Sequence, residues 1–192
     1  MMTTPAEVQM AMMVQGSERI ADADLPVAEL AALMRLPDGY GDIPGQTGRL
    51  QAGLRAAIET IEARTGRILV ARDVTLVGGA EGGARVTLGL VPVQSVRSIV
   101  ARGVGGSIDL GPATVEAGAH TTTLALSRSV GAGTDLILTV AAGYSSWQQL
   151  PSPLREAVLL SARDIEEGVR DGAAQISCLI SPYRPRRIGG SI

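Results

Sequence analysis

The sequence predicts an α+β fold: a helical body of two N-terminal helices and one C-terminal helix, an inserted antiparallel β-sheet domain, and an extended C-terminal tail. Three observations predict it. Apolar residues recur at helical spacing between residues 47 and 66, the period falls to two from there to residue 142 between glycine-rich turns, and helical spacing returns after Pro153. The implied boundaries are an N-terminal arm over 1–24, a body over 25–171 with helices at 26–36, 48–65 and 153–170 around a β insertion at 67–142, and a tail over 172–192.

The arm has no clean period and holds Met1, Met2, Met10, Met12 and Met13, the pattern of a segment ordered by a partner if at all. Pro26 then opens a short helix with Leu30, Leu33 and Met34 on one face, and Pro37-Asp38-Gly39 ends it. In the second helix Thr47 is the expected cap, Leu50, Leu54, Ala57, Ile58 and Ile61 form the buried stripe, and Gly66 is the stop. Its other face carries Arg49, Arg55, Glu59, Glu62 and Arg64, mixed in sign, which fits a solvated surface or a polar contact between subunits.

After Gly66, Ile68, Val70, Val74 and Leu76 alternate along one side of a strand, and a turn over 78–83 returns residues 85–90 as its expected partner. Short strands follow at 95–101, 107–110, 122–126 and 135–142, giving an antiparallel meander or small barrel. The last strand is apolar on nearly both faces and is expected to lie centrally, under helices. In the final helix Ser152 is the expected cap and Pro153 the first residue, and Leu154, Ala157, Val158, Ala162, Ile165 and Val169 form the inner stripe. Leu159 and Leu160 widen it, which fits either a helix shared with a neighbouring subunit or one deeply buried in a single chain.

Composition removes several chemistries. All 17 basic residues are Arg, so a phosphate-binding loop with its Lys and a Schiff-base enzyme are both excluded. Cys178 is the only cysteine, which precludes an intrachain disulfide and a cysteine metal site, and it reads as a small buried filler. His120 is the only histidine and has no nucleophile motif near it, so no catalytic residue is assigned and no metal or cofactor is expected. Asp38-Gly39-Tyr40-Gly41-Asp42 has too few oxygen ligands for a calcium loop. The apolar run over 10–14 is too short to cross a bilayer and lacks the features of a secretory signal, so no membrane association is expected and synthesis in the cytoplasm is. A net charge of −2 argues against a general nucleic-acid binder.

What remains is the C-terminal segment, where no acidic residue follows Asp171. Leu179, Ile180 and Tyr183 offer apolar anchors, Pro182 and Pro185 favour an extended backbone, and Arg184, Arg186 and Arg187 offer forked donors to carboxylates or phosphates. A protein groove is the expected target, because three arginines are few for strong DNA binding.

Glu62-Ala63-Arg64-Thr65-Gly66-Arg67-Ile68-Leu69, Leu90-Val91-Pro92-Val93-Gln94-Ser95-Val96-Arg97-Ser98-Ile99, Ala142-Gly143-Tyr144 and Leu150-Pro151-Ser152-Pro153-Leu154-Arg155-Glu156-Ala157-Val158 occur in an order and spacing that resemble the head-tail connector, or adaptor, proteins of tailed phages, prophages and gene transfer agents. Pro182-Tyr183-Arg184 with the following arginines resembles the end of that family, so the likeness runs from about residue 25 to the C-terminus; the arm departs from it. The resemblance implies a non-enzymatic structural protein of the head-tail interface, in a ring of twelve copies under the portal protein. Such a ring extends the DNA channel without specific DNA binding and offers a docking face to a stopper or tail-side ring protein. It further implies that residues 179–187 reach the portal, with Leu159, Leu160, Arg49, Arg55, Glu59 and Glu62 as candidate contacts between copies. Two alternatives stay open: a DNA-binding or packaging accessory factor, and a neighbouring stopper or tail-terminator ring protein.

Overall fold

The computed structural model describes residues 12–103 and 106–185, which divide into two compact units. One comprises the chain up to Glu18 together with Asp73–Ala142, and is built of strands. The other comprises Arg19–Arg72 and the chain from Gly143 onward, and is built of helices.

The strand unit contains β1 (Met13–Ser17), β2 (Arg72–Gly79), β3 (Gly83–Leu88), β4 (Val93–Gly103), β5 (Gly106–Asp109), β6 (Ala113–Ala117), β7 (Thr122–Val130) and β8 (Asp135–Ala142). They form a five-stranded sheet in the order β1-β2-β8-β4-β5 and a three-stranded sheet in the order β3-β7-β6. Alternation places Val74, Leu76, Ile99, Leu136, Leu138 and Val140 in the core from the larger sheet, and Val86, Leu88, Leu124 and Leu126 from the smaller. The last strand is central, between β2 and β4, as its apolar character implies.

Three expectations are corrected here. Residues 85–90 do not return against β2: β3 pairs with β7. The reason is local, because Ala80 N–H donates to Thr134 O at 2.8 Å and Gly133 N–H to Ala80 O at 2.8 Å, fixing the chain before Gly82 and Gly83 turn it away with φ of 97° and 94°. Residues 113–117, between Gly111-Pro112 and Gly118, are a further strand. Within the arm, β1 is a strand antiparallel to β2; residues 1–11, with Met1, Met2 and Met10, lie outside the described residues.

The helical unit contains α1 (Val27–Leu33), α2 (Gln46–Thr65), α3 (Ser152–Glu167) and α4 (Ala173–Ile180). α2 is proline-free, and its buried stripe of Leu50, Leu54, Ala57, Ile58 and Ile61 is the expected one. Each large member contributes roughly 1.5–3 kcal/mol by leaving water. Gly66 ends it in the left-handed region at φ 64°, its N–H reaching Glu62 O at 2.8 Å. Thr47 does not cap it: Gly45 holds that position, and the Thr47 hydroxyl donates to Gly41 O at 3.0 Å. Nor does Ser152 cap α3, where Pro151 precedes the first turn and no side-chain cap bond forms.

α1 is shorter than expected, closing over Arg35 at φ 54° with Leu36 N–H bonded to Ala31 O at 3.0 Å. α3 also stops early, at Gly168 with φ 69°, and Val169 N–H returns to Asp164 O at 2.9 Å. Its expected inner stripe is not buried to its end: Ile165, still within α3, is 45% exposed, and Val169, past Gly168, is 36% exposed. Residues 67–71 belong to no sheet strand, although Val70 forms a parallel bridge with Tyr144.

Candidate functional site

The segment expected to run extended from Gly172 folds instead. Gly172 N–H donates to the buried Asp164 carboxylate at 2.9 Å, and this bond turns the chain from α3 into α4. A Cβ at Gly172 would stand 2.9 Å from that carboxylate, so a larger residue there would push the Asp164 side chain aside. Asp164 also accepts from Arg163 Nη2 at 2.8 Å, and this hydrogen bond, opposed by desolvation, raises the Arg163 pKa above its ordinary value.

α4 buries Ile176 and Ile180, one turn apart, in the core shared by α2 and α3, and Leu179 and Tyr183 pack beside them. A single 3₁₀ turn, Ser181–Tyr183, follows. The expected anchors thus divide by position. Ile180 is fully buried, and Leu179, Tyr183 and Arg184 are half-buried, while Pro182 and Pro185 are exposed. Arg186 and Arg187 lie outside the described residues. Cys178, expected inside, is exposed, because it occupies the solvent side of α4 opposite Ile176 and Ile180.

The end of this segment is fastened to the helical unit by cations. Arg67 stacks its guanidinium on the Tyr183 ring and donates to the Tyr144 hydroxyl at 3.5 Å. Arg184 Nη2 donates to Ser177 Oγ at 3.2 Å, back onto α4. The exposed surface formed here is Cys178, Ser181, Pro182 and Pro185, with the half-buried Arg184 guanidinium at its margin.

The polar face of α2 is used largely within the chain. Glu62 does not lie on a solvated face: it is 8% exposed, ion-paired with Arg72, and accepts Leu69 N–H at 2.7 Å. Arg55 donates to Ile20 O at 3.2 Å and pairs with Asp22. Arg49 pairs with Glu166 at 2.7 Å while keeping its own side chain 58% exposed. Glu59 is exposed. On α3, Leu160 is buried and Leu159 packs against the same core, so the width of that stripe is met within the chain.

A groove of about 620 Å³ lies between α2, α3 and α4, lined by Thr60, Arg64, Ile165, Val169 and Arg170 among others. His120 sits half-buried in the β6–β7 turn. Among the described residues no group of three or more His, Cys, Asp or Glu side chains is placed to hold a metal. No described helix is long and apolar enough to cross a membrane. The buried acids Glu62 and Asp164 both act on backbone N–H groups; period-based reading misses them because a carboxylate at helical spacing looks solvated unless its partner is known.

No protein-family model matches the sequence, and no curated protein does. Solved structures do. A chain in the neck of an empty gene transfer agent particle computed with C6 symmetry is 29% identical, covering 95% of this chain and 99% of that one with a TM-score of 0.75. A chain in the virion of a native gene transfer agent particle is 28% identical over 94% of this chain and 98% of that one, with a TM-score of 0.75. A third, in the neck of a native particle computed with C12 symmetry, is 29% identical over 93% and 98%, with a TM-score of 0.69. Over 95% of its length, which takes in both its strand unit and its helical unit, this chain is similar to a protein of the gene transfer agent neck.

Proposed function

We propose that this chain is a head-tail adaptor: a structural, non-enzymatic protein of the head-tail interface of a phage-like particle, made in the host cytoplasm and assembled as a ring under the portal protein. The observation that carries the reading is the likeness to a neck protein over 95% of this chain and 99% of the other. The necks computed with C6 and C12 symmetry support a ring, with twelve copies as the proposed number. In that ring the lumen passes DNA without specific contacts, and the face away from the portal receives a stopper or tail-side ring protein.

Residues 179–187 remain the proposed portal contact, in a form that the fold narrows. Leu179, Ile180 and Tyr183 set the end of α4 in place, Pro182 and Pro185 are exposed beside the half-buried Arg184, and Arg186 and Arg187, outside the described residues, complete the proposed contact. Repeated around a ring, weak contacts of this size gain avidity. Of the proposed contacts between copies, Arg49 and Glu59 are on the surface, whereas Glu62, Leu159 and Leu160 serve chiefly the chain's own core.

The test is capture on purified portal rings, comparing the full chain with one ending at Pro185, which leaves α4 whole. The adaptor reading expects the full chain to bind and the shortened chain to lose most of its affinity. Equal recovery removes the docking role of the last residues. Capture by the tail-side ring and not by the portal favours the stopper, and tight binding to duplex DNA at physiological salt favours the packaging factor.

A further inference from the structure

We propose that β1 of one copy pairs with β5 of the next, so that the five-stranded sheet continues from subunit to subunit around the ring. The partner is a second copy of this chain, and the inference rests on the ring reading above. β1 and β5 are the two outer strands of that sheet, and all five residues of β1 and all four of β5 are exposed. The three most exposed large apolar side chains among the described residues lie on these edges: Met13 at 72%, Ile108 at 56% and Val14 at 54%.

A free sheet edge offers a row of unpaired backbone donors and acceptors, and folded proteins guard such edges with charges or proline. These two are poorly guarded. Met13-Val14-Gln15-Gly16-Ser17 has no charge and no proline, only a register shift between Val14 and Gly16. β5 has one acid, Asp109, whose carboxylate is already turned to accept Gly111 N–H at 2.9 Å. The outer strands of the smaller sheet differ: β3 carries Arg85 and β6 carries Glu116, ion-paired at 3.2 Å.

Symmetry says why the occupant is the other edge of a second copy. An edge that pairs with itself does so about a two-fold axis and closes as a dimer, whereas a cyclic ring needs two different surfaces that fit each other. The larger sheet has two such edges, of five and four residues, both with projecting apolar side chains. Strand addition of this kind takes its affinity from backbone hydrogen bonds and its register from the side chains.

The experiment uses the full chain with Cys178→Ser, Val14→Cys and Ile108→Cys, assembled as rings on purified portal and treated with a short bismaleimide. Native mass spectrometry first establishes whether the unmodified chain forms rings; if it does not, the ring reading itself fails. Given rings, the proposal expects a ladder of covalent oligomers on a denaturing gel, climbing towards the copy number, while each single-cysteine chain stays at the mass of one. Rings without a ladder overturn it, as do covalent dimers from Val14→Cys alone, which would mean self-pairing edges. A crosslink-free β1 shielded by residues before Met13 also overturns it. Ile108→Lys, at a position already 56% exposed, should retain the wild-type melting temperature and raise the concentration needed for ring formation at least tenfold; unchanged assembly counts against the proposal.

Discussion

The Arg67 guanidinium lies 5.3 Å from the centroid of the Tyr183 ring. The same cation donates to Tyr144, so one side chain joins the residues after α2, those after β8 and the turn after α4. A half-buried cation over an aromatic face contributes about 0.5–2 kcal/mol, and the Tyr183 ring adds the burial of its own surface. Tyr183→Ala should therefore lower stability by roughly 1–3 kcal/mol. The backbone amides of Ser181, Tyr183 and Arg184 should lose hydrogen-exchange protection first, with α2 little affected. Tyr183→Phe keeps the ring and should behave nearly as wild type. If both variants exchange alike, the stacking does not fasten this segment. The pair also separates folding from docking, since weaker portal capture by the Phe variant would implicate the hydroxyl directly.

Glu62 and Arg72 form an ion pair with side chains only 8% and 6% exposed. Removing one partner strands the other charge away from water, and such losses run to about 3–5 kcal/mol. Glu62→Ala should show a loss of that size in urea unfolding, since it also orphans the Leu69 N–H. Adding Arg72→Met should recover part of it. A loss no larger than that of an exposed pair would contradict the buried assignment and return Glu62 to the surface.

At Gly143 the backbone has φ of 109°, and a Cβ there would stand 2.5 Å from Val70 O and 2.6 Å from Val70 C. Both objections are to the backbone, which cannot step aside. Gly143→Ala should destabilise the chain by about 2–4 kcal/mol or abolish soluble expression. Gly16→Ala is the control, because a Cβ at Gly16 meets nothing within 4 Å, and thermal unfolding should barely register it. Equal effects at the two sites would refute the steric account.

Most of the architecture was legible wherever one period ran long enough to be read. The stripe of α2, the central place of β8 and the break at Gly66 all follow from side-chain pattern and from glycine. What pattern could not supply was pairing. Alternation identifies residues 85–88 as a strand but does not name its neighbour, which the two bonds at Ala80 decide. The C-terminal segment failed for a different reason. Ile176, Leu179 and Ile180 do have helical spacing, but Gly172 before them and Pro182 and Pro185 after them weigh towards a tail; the Asp164 carboxylate that rescues the turn is eight residues upstream. Of the site, the apolar character of Leu179, Ile180 and Tyr183 was legible, and their packing against the chain's own helices was not.

The parallel bridge between Val70 and Tyr144, with Ala71 N–H on Tyr144 O at 3.1 Å, brings the departure and the return of the chain side by side. Everything from residue 72 to 143 is then a detour whose two ends are already closed by the helical unit. Loop-closure entropy grows only with the logarithm of length, about 0.6 kcal/mol per doubling, so the length of such a detour adds little to the cost of closing its ends. The doorway at Val70 and Tyr144 thus separates the closure of the chain, which the helical unit supplies, from the length of the segment it closes.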